Sequence, residues 1–145
     1  MKEIDEKWMK KALQQAKLGL ENDEIPIGCV ITYKDQIIAR SYNQVEKLND
    51  PTAHAEMIAI TSATQTVGSK YLDKCTIYIT LEPCFMCAGA IHWARFRRVV
   101  FGASDPKKGF VKFHPAVLLD KVEISGGVLQ DECSLLLNRF FLRKR

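Results

Sequence analysis

At 145 residues, with 47% hydrophobic and 26% charged residues, the chain matches the soluble globular average, which excludes a disordered chain and an all-helical fibre and predicts one domain spanning residues 1–145. Its net charge of +4 is mildly basic, compatible with a nucleic-acid partner without requiring one. No apolar run approaches the ~20 residues of a membrane span, Lys10, Lys11 and Lys17 interrupt the first apolar stretch, and the five cysteines are odd in number; no membrane anchor, no signal peptide, no disulfide framework and a reducing, cytoplasmic location are expected.

From Glu3 to Leu20, Trp8, Met9, Ala12, Leu13, Ala16 and Leu20 recur at helical spacing among lysines, glutamines and acids, which predicts an amphipathic first helix. Pro26 opens the apolar run Ile27 to Tyr33, the polar pair Lys34-Asp35 follows, and Ile37 to Arg40 is apolar again, the pattern of two strands joined by a tight turn. Tyr42 to Thr52 is polar and aperiodic and reads as a loop. Thr52 is expected to cap a helix that begins near Ala53, runs to about Val67 and stops at Gly68. Cys75 to Thr80 reads as a buried strand, Cys84 to Arg95 as a helix, Val99 to Gly102 as a short strand, Val122 to Ser125 as a last strand and Asp131 to Phe141 as a last helix. Strands alternating with helices predict an α/β fold whose sheet is covered on both faces.

Two local patterns carry chemistry. In Pro83-Cys84-Phe85-Met86-Cys87, a C-x-x-C that opens a helix sets two thiolates about one turn apart, where both reach a single zinc at about 2.3 Å, and helix N-terminal N–H groups favour the thiolate form. A C-x-x-C is also the pattern of a redox pair or of half a structural zinc site. A closed structural site wants a fourth ligand at ligand spacing, whereas Cys29, Cys75, Cys133, His92 and His114 stand alone; three protein ligands plus water is the catalytic arrangement. A lone histidine is ordinarily a core or surface residue, but in His54-Ala55-Glu56 a carboxylate two residues on, at a helix start, can enter the same pocket without joining the coordination sphere and there accept a proton from water. Its bland alternative is a carboxylate serving only the helix dipole. His54, Cys84 and Cys87 are therefore the candidate ligands for one Zn²⁺ per subunit, and Glu56 the candidate catalytic residue.

The joint presence of H-x-E and P-C-x-x-C is the known signature of zinc-dependent base deaminases, so this step is a pattern match and not a deduction from spacing. The runs ending in DPTAHAE, YLDKCTIYITLEPCFMCAGA and GGVLQDEC together resemble the bacterial tRNA adenosine deaminase family, and the likeness covers most of the chain. The resemblance implies a three-layer α/β/α, cytidine-deaminase-like fold with a five-stranded mixed sheet. It also implies a homodimer that converts the wobble adenosine of a tRNA anticodon loop to inosine. On the same resemblance Asn43 corresponds to a base-contacting asparagine, and Glu24 to Gly28, including Ile27, to a strand start lining the substrate pocket. Ala55 corresponds to a residue whose backbone N–H faces the base, and Pro83 to one whose backbone orients the leaving amine.

Two departures from the family pattern stand out: Phe110 to Pro115 replaces a longer leucine-containing segment, and Phe85 stands where a small aliphatic residue is usual. Positive charge gathers at Arg95 to Arg98, Lys107-Lys108 and Arg143-Lys144-Arg145; the last three are the candidate nucleic-acid contacts, and solvated surface is the commoner fate of such clusters. Phe140 and Phe141 read as core residues of the last helix, Cys29, Cys75 and Cys133 as buried small hydrophobes, and His92 and Trp93 as core or interface packing. Three rivals remain at this level: a deaminase of free guanine, cytosine or a nucleoside such as cytidine, a zinc-stabilised nucleic-acid-binding module, and a thiol redox protein.

Overall fold

The helical spacing of Trp8, Met9, Ala12, Leu13 and Ala16 folds as α1 (Lys2–Glu21), which buries all five side chains on one face. In this computed structural model, which describes residues 1–118 and 121–144, α1 leads into an antiparallel hairpin of β1 (Gly28–Tyr33) and β2 (Gln36–Tyr42). The turn is made by Lys34 and Asp35, both at positive φ (48° and 57°), the geometry that matches the twist of paired strands. At Gly28 the strand meets α1 so closely that a Cβ would lie 1.9 Å from the Ala12 carbonyl oxygen. A side chain there would force strand and helix apart.

Next come α2 (Ala55–Val67), β3 (Thr76–Leu81), α3 (Phe85–Ala94) and β4 (Arg98–Ala103). They are followed by a one-turn helix α4 (Phe110–Phe113), a 3-10 turn (Pro115–Val117), β5 (Glu123–Ser125) and α5 (Gln130–Arg143). The sheet order is β2-β1-β3-β4-β5, with β1 antiparallel to both neighbours and β3, β4 and β5 parallel. It is the five-stranded mixed sheet expected from the resemblance.

Alternation along the strands sorts the core into two layers. Cys29, Ile31, Ile77, Ile79 and Val99 face α2 and α3, packing with Ala59, Ala63, Ala88 and Ile91. Val30, Tyr78 and Val100 face the other way, onto α1 and α5. Helices thus cover both faces, and Cys29, Cys75 and Cys133 are buried as small hydrophobes.

The structure corrects three expectations. The helix placed near Ala53 starts at Ala55, because Asp50 accepts both the backbone N–H and the hydroxyl of Thr52 (2.8 Å each) and closes a turn that delays it; His54, not Thr52, is the N-cap. The α4 helix and the 3-10 turn fall where no element was expected, since pieces this short show no periodicity. Arg98, grouped above with solvated cations, is buried on the α1 side: its Nη1 and Nη2 donate to the two carboxylate oxygens of Asp5 at 2.5 and 2.7 Å, and the Tyr78 hydroxyl donates to Asp5 at 3.2 Å. His92 is exposed and Trp93 is 77% exposed, so of core or interface packing only the second stays open to them.

Candidate active site

Two helix N-termini meet at the carboxyl end of β3. Cys84 is the N-cap of α3 and Cys87 lies in its first turn, while His54 is the N-cap of α2 and Glu56 lies in its first turn. Neither N-cap side chain caps its own helix, so both are free to turn toward each other. The first turn of α2 is pinned from β2 by the buried Ser41 hydroxyl, which donates to the Ala55 carbonyl.

The Nδ1 atom of His54 lies 3.7 Å from the Cys84 Sγ and 3.5 Å from the Cys87 Sγ, and all three ligand atoms fall within 4.8 Å of one another. A tetrahedral zinc with its usual bond lengths separates nitrogen and sulfur ligands by about 3.6 Å. The donor set and its spacing therefore fit zinc, with three protein ligands and a fourth position left for water. Glu56 is not a member of the ligand group, although it borders the same cleft.

The groups perturb one another strongly. Cys84 is drawn well below the usual thiol range, first by a hydrogen bond from Cys87 and then by His54; Cys87 is driven up because it holds that proton and is buried. The Cys84 sulfur raises His54. Burial, at 4% exposure, pushes the Glu56 carboxyl up to about 7, with the charge of Cys84 adding to the effect. Clustered perturbations of this kind are characteristic of catalytic sites.

The site opens into a cleft of about 1450 Å³. Its walls are the α1–β1 link, the loop from Asn43 to Lys47, the segment Ser104 to Lys108 and the end of α5. Of the residues singled out from sequence, Asn43, Ile27, His54, Glu56, Cys84 and Lys144 border the cleft. Ala55 and Cys87 lie behind that surface, fully buried. Pro83 is buried too, and its carbonyl accepts the Phe110 N–H at 3.0 Å. Arg143 is turned to the outside, donating to the Leu20 carbonyl at 3.2 Å and reaching Asp23 at 3.5 Å, and Lys144 pairs with the same Asp23 at 3.2 Å. Arg145 lies outside the described residues.

Three features of the cleft escape sequence reading. Glu24, 1% exposed, accepts the backbone N–H groups of Glu46 and Lys47 at 3.1 and 2.8 Å and so holds the Asn43 loop against the α1–β1 link. Glu82, 6% exposed, does the same for the opposite wall, accepting from Asp105 and Val111. The only signal for either is an acid set against an apolar run beside a proline. Phe140 is buried as expected but borders the cleft, and Phe141 beside it is 50% exposed, so these rings face the cleft as well as the core. The two departures from the family pattern touch each other, since the Phe85 and His114 rings lie 5.3 Å apart.

Among the described residues no helix is long and apolar enough to cross a membrane. The family model for the cytidine and deoxycytidylate deaminase zinc-binding region matches residues 2–103. The tRNA-specific adenosine deaminase of Bacillus subtilis is 43% identical over 148 residues, covering 97% of this chain and 92% of that protein. A structure from a study of A-to-I editing by tRNA:A34 deaminases at the wobble position of transfer RNA superposes with a TM-score of 0.83 at 40% identity, over 89% of this chain and 97% of the other. The guanine deaminase structure from Bacillus subtilis is 44% identical with a TM-score of 0.65, over 68% of this chain and 64% of that one. With a matching sequence model, a matching sheet and a ligand trio at zinc spacing, this chain belongs to the zinc-binding cytidine and deoxycytidylate deaminase family.

Proposed function

We propose that this chain is a zinc-dependent hydrolytic deaminase that converts the wobble adenosine of a tRNA anticodon to inosine, with residues 1–145 acting as one catalytic domain. One observation carries the reading: His54, Cys84 and Glu56 open together into a cleft of about 1450 Å³ whose walls carry Lys47, Lys107, Lys108 and Lys144 beside Asp23, Glu24, Glu46, Glu82 and Asp105, and of these acids Glu24, Glu82 and Asp105 are taken up by backbone N–H groups and Asp23 by Lys144. That volume exceeds the about 300–1,000 Å³ of ordinary small-molecule pockets and suits a base extruded from a loop together with its flanking phosphates.

Zinc, one per subunit, held by His54, Cys84 and Cys87, supplies Lewis acidity that makes water a nucleophile at neutral pH. Glu56 would accept one proton of the water whose oxygen adds to C6 of adenine and give it to ring N1, then take the second proton from the new C6 hydroxyl and give it to the amine, so that the C6–N bond breaks, ammonia leaves and the C6 carbonyl of inosine forms. The Asn43 amide holds the base edge and Ile27 packs on the ring; the resemblance assigns the Ala55 N–H as a donor to the base, although Ala55 lies behind the cleft surface. The Pro83 carbonyl, with one lone pair left beside its bond from Phe110, orients the leaving amine. Arg143, Lys144 and Arg145 meet phosphates, for which Asp23 is a competing partner of the first two. The outer face of α3, with Trp93 and Phe85 exposed, is the surface for a homodimer. None of the five cysteines is in a disulfide, two of them being the zinc ligands and three buried, which suits a cytoplasmic enzyme.

The second reading keeps this chemistry on free guanine, and the guanine deaminase relative favours it. Incubation with an anticodon stem-loop carrying a wobble adenosine, and in parallel with guanine, cytosine, adenosine and cytidine, separates the two. Inosine in the stem-loop is the expected result; ammonia released from a free base alone overturns the substrate assignment.

A further inference from the structure

Glu82 sits between β3 and the N-cap Cys84 and is buried, yet its carboxylate faces no cation in any ion pair among the described residues. Its partners are backbone. One oxygen accepts the Asp105 N–H at 2.9 Å and the other the Val111 N–H at 2.9 Å, so a single carboxylate ties both ends of the 105–111 turn. Inside the turn, the Asp105 carboxylate accepts the N–H groups of Lys107 and Lys108 at 3.0 and 3.1 Å, and the Gly109 N–H reaches the Asp105 carbonyl at 2.9 Å. Gly109 backs directly onto Glu82, where a Cβ would come within 2.3 to 2.4 Å of the carboxylate atoms. A charge this buried is tolerable only when hydrogen bonds replace its water, and here the backbone of one turn supplies them.

Asp105, Pro106, Lys107 and Lys108 of that turn form one wall of the cleft. The residue that holds the wall stands two positions before a metal ligand, so the placement of the two lysines is referenced to the zinc site through one short stretch of backbone. We propose that Glu82 is a positioning residue for the substrate: it sets the 104–108 wall, and with it the Lys107 and Lys108 cations, at a fixed place relative to the ligand trio, and it touches no reacting atom. The kinetic consequence rests on the RNA reading above; the placement of the wall does not.

The test uses Glu82→Gln, which turns an amide N–H₂ toward one of the two backbone donors, and Gly109→Ala, which presses on the carboxylate from the other side without altering it. Each variant is expected to raise KM for the stem-loop at least tenfold with kcat within twofold of wild type, full zinc content and a shallower salt dependence of kcat/KM. Amide hydrogen exchange across 105–111 should quicken at least tenfold while α2 and α3, from their first bonded amides at Ile58 and Ala88 onward, keep their protection. The double variant should be no worse than either single one, because both break one device. Wild-type KM and exchange in either variant overturn the proposal, as does a fall in kcat or zinc content at unchanged KM, which would put Glu82 in service of the cysteine motif alone. If the wild-type enzyme ignores the stem-loop and deaminates a free base, the RNA reading fails separately, and exchange together with KM for that base still decides on Glu82.

Discussion

The metal corner and the rim of the cleft are built on opposite plans. At the corner, each functional group sits at or just past the N-cap of a helix, so the ligands and Glu56 come from two short stretches, 54–56 and 84–87, and their geometry is largely local. At the rim, the walls are loops that owe their place to buried carboxylates far away in the chain: Glu24 holds residues 46 and 47, and Glu82 holds residues 105 and 111. On the proposed function, the chemistry falls where helix starts place the side chains and substrate choice falls where a few hydrogen bonds to buried carboxylates tie down the walls.

Variants at the corner should therefore abolish turnover and variants at the rim should scale it. Glu56→Ala is expected to cost at least ~10²–10⁴-fold in kcat while zinc content stays at one per chain; Cys87→Ala should lose the metal as well, measured by elemental analysis. An active, zinc-replete Glu56→Ala enzyme would break the contrast at its centre. On the rim, Phe141→Ala should raise KM for the stem-loop by about tenfold, the usual worth of one stacked base, with little change in melting temperature. A drop in stability with unchanged KM would return this ring to the core.

Glu24→Gln leaves one of two backbone donors without its acceptor and should raise KM by about fivefold through the Asn43 loop, with kcat preserved. Equal losses in kcat and kcat/KM would mean that the loop carries a group acting in the transition state, drawing rim and corner together. The smallest effect is expected at Lys144→Ala: about two- to threefold weaker RNA binding and a salt slope lower by about 1, read from titrations at several salt concentrations. Its existing pairing with Asp23 is why the loss is small.

How much of this was open to the sequence follows the same division. The pairing of Cys84 with Cys87 and of His54 with Glu56 was legible because spacing within a helix turn is a local property, whereas joining the two pairs into one site rested on the known deaminase signature; the structure brings the three ligand atoms within 4.8 Å of one another. The strands and long helices were legible because alternation and helical spacing report which face is apolar, so α1, the β1–β2 hairpin and the Gly68 stop fall within a residue or two of expectation. Resemblance supplied the mixed order of the sheet, which no local pattern contains.

Tertiary structure alone decided the rest. Arg98 read as one more surface cation until β4 pointed it at Asp5, 93 residues away, where a paired acid makes a buried guanidinium tolerable. Resemblance placed Glu24 only in a pocket-lining stretch and no pattern singled out Glu82; folding brought backbone N–H groups 22 to 29 residues distant against both carboxylates. Thr52 lost the helix cap to a turn closed by Asp50, and Phe141 was turned from the core to the cleft. Periodicity says which side chains avoid water; which buried polar group meets which partner depends on how distant segments pack, and that information is not local to any stretch of the chain.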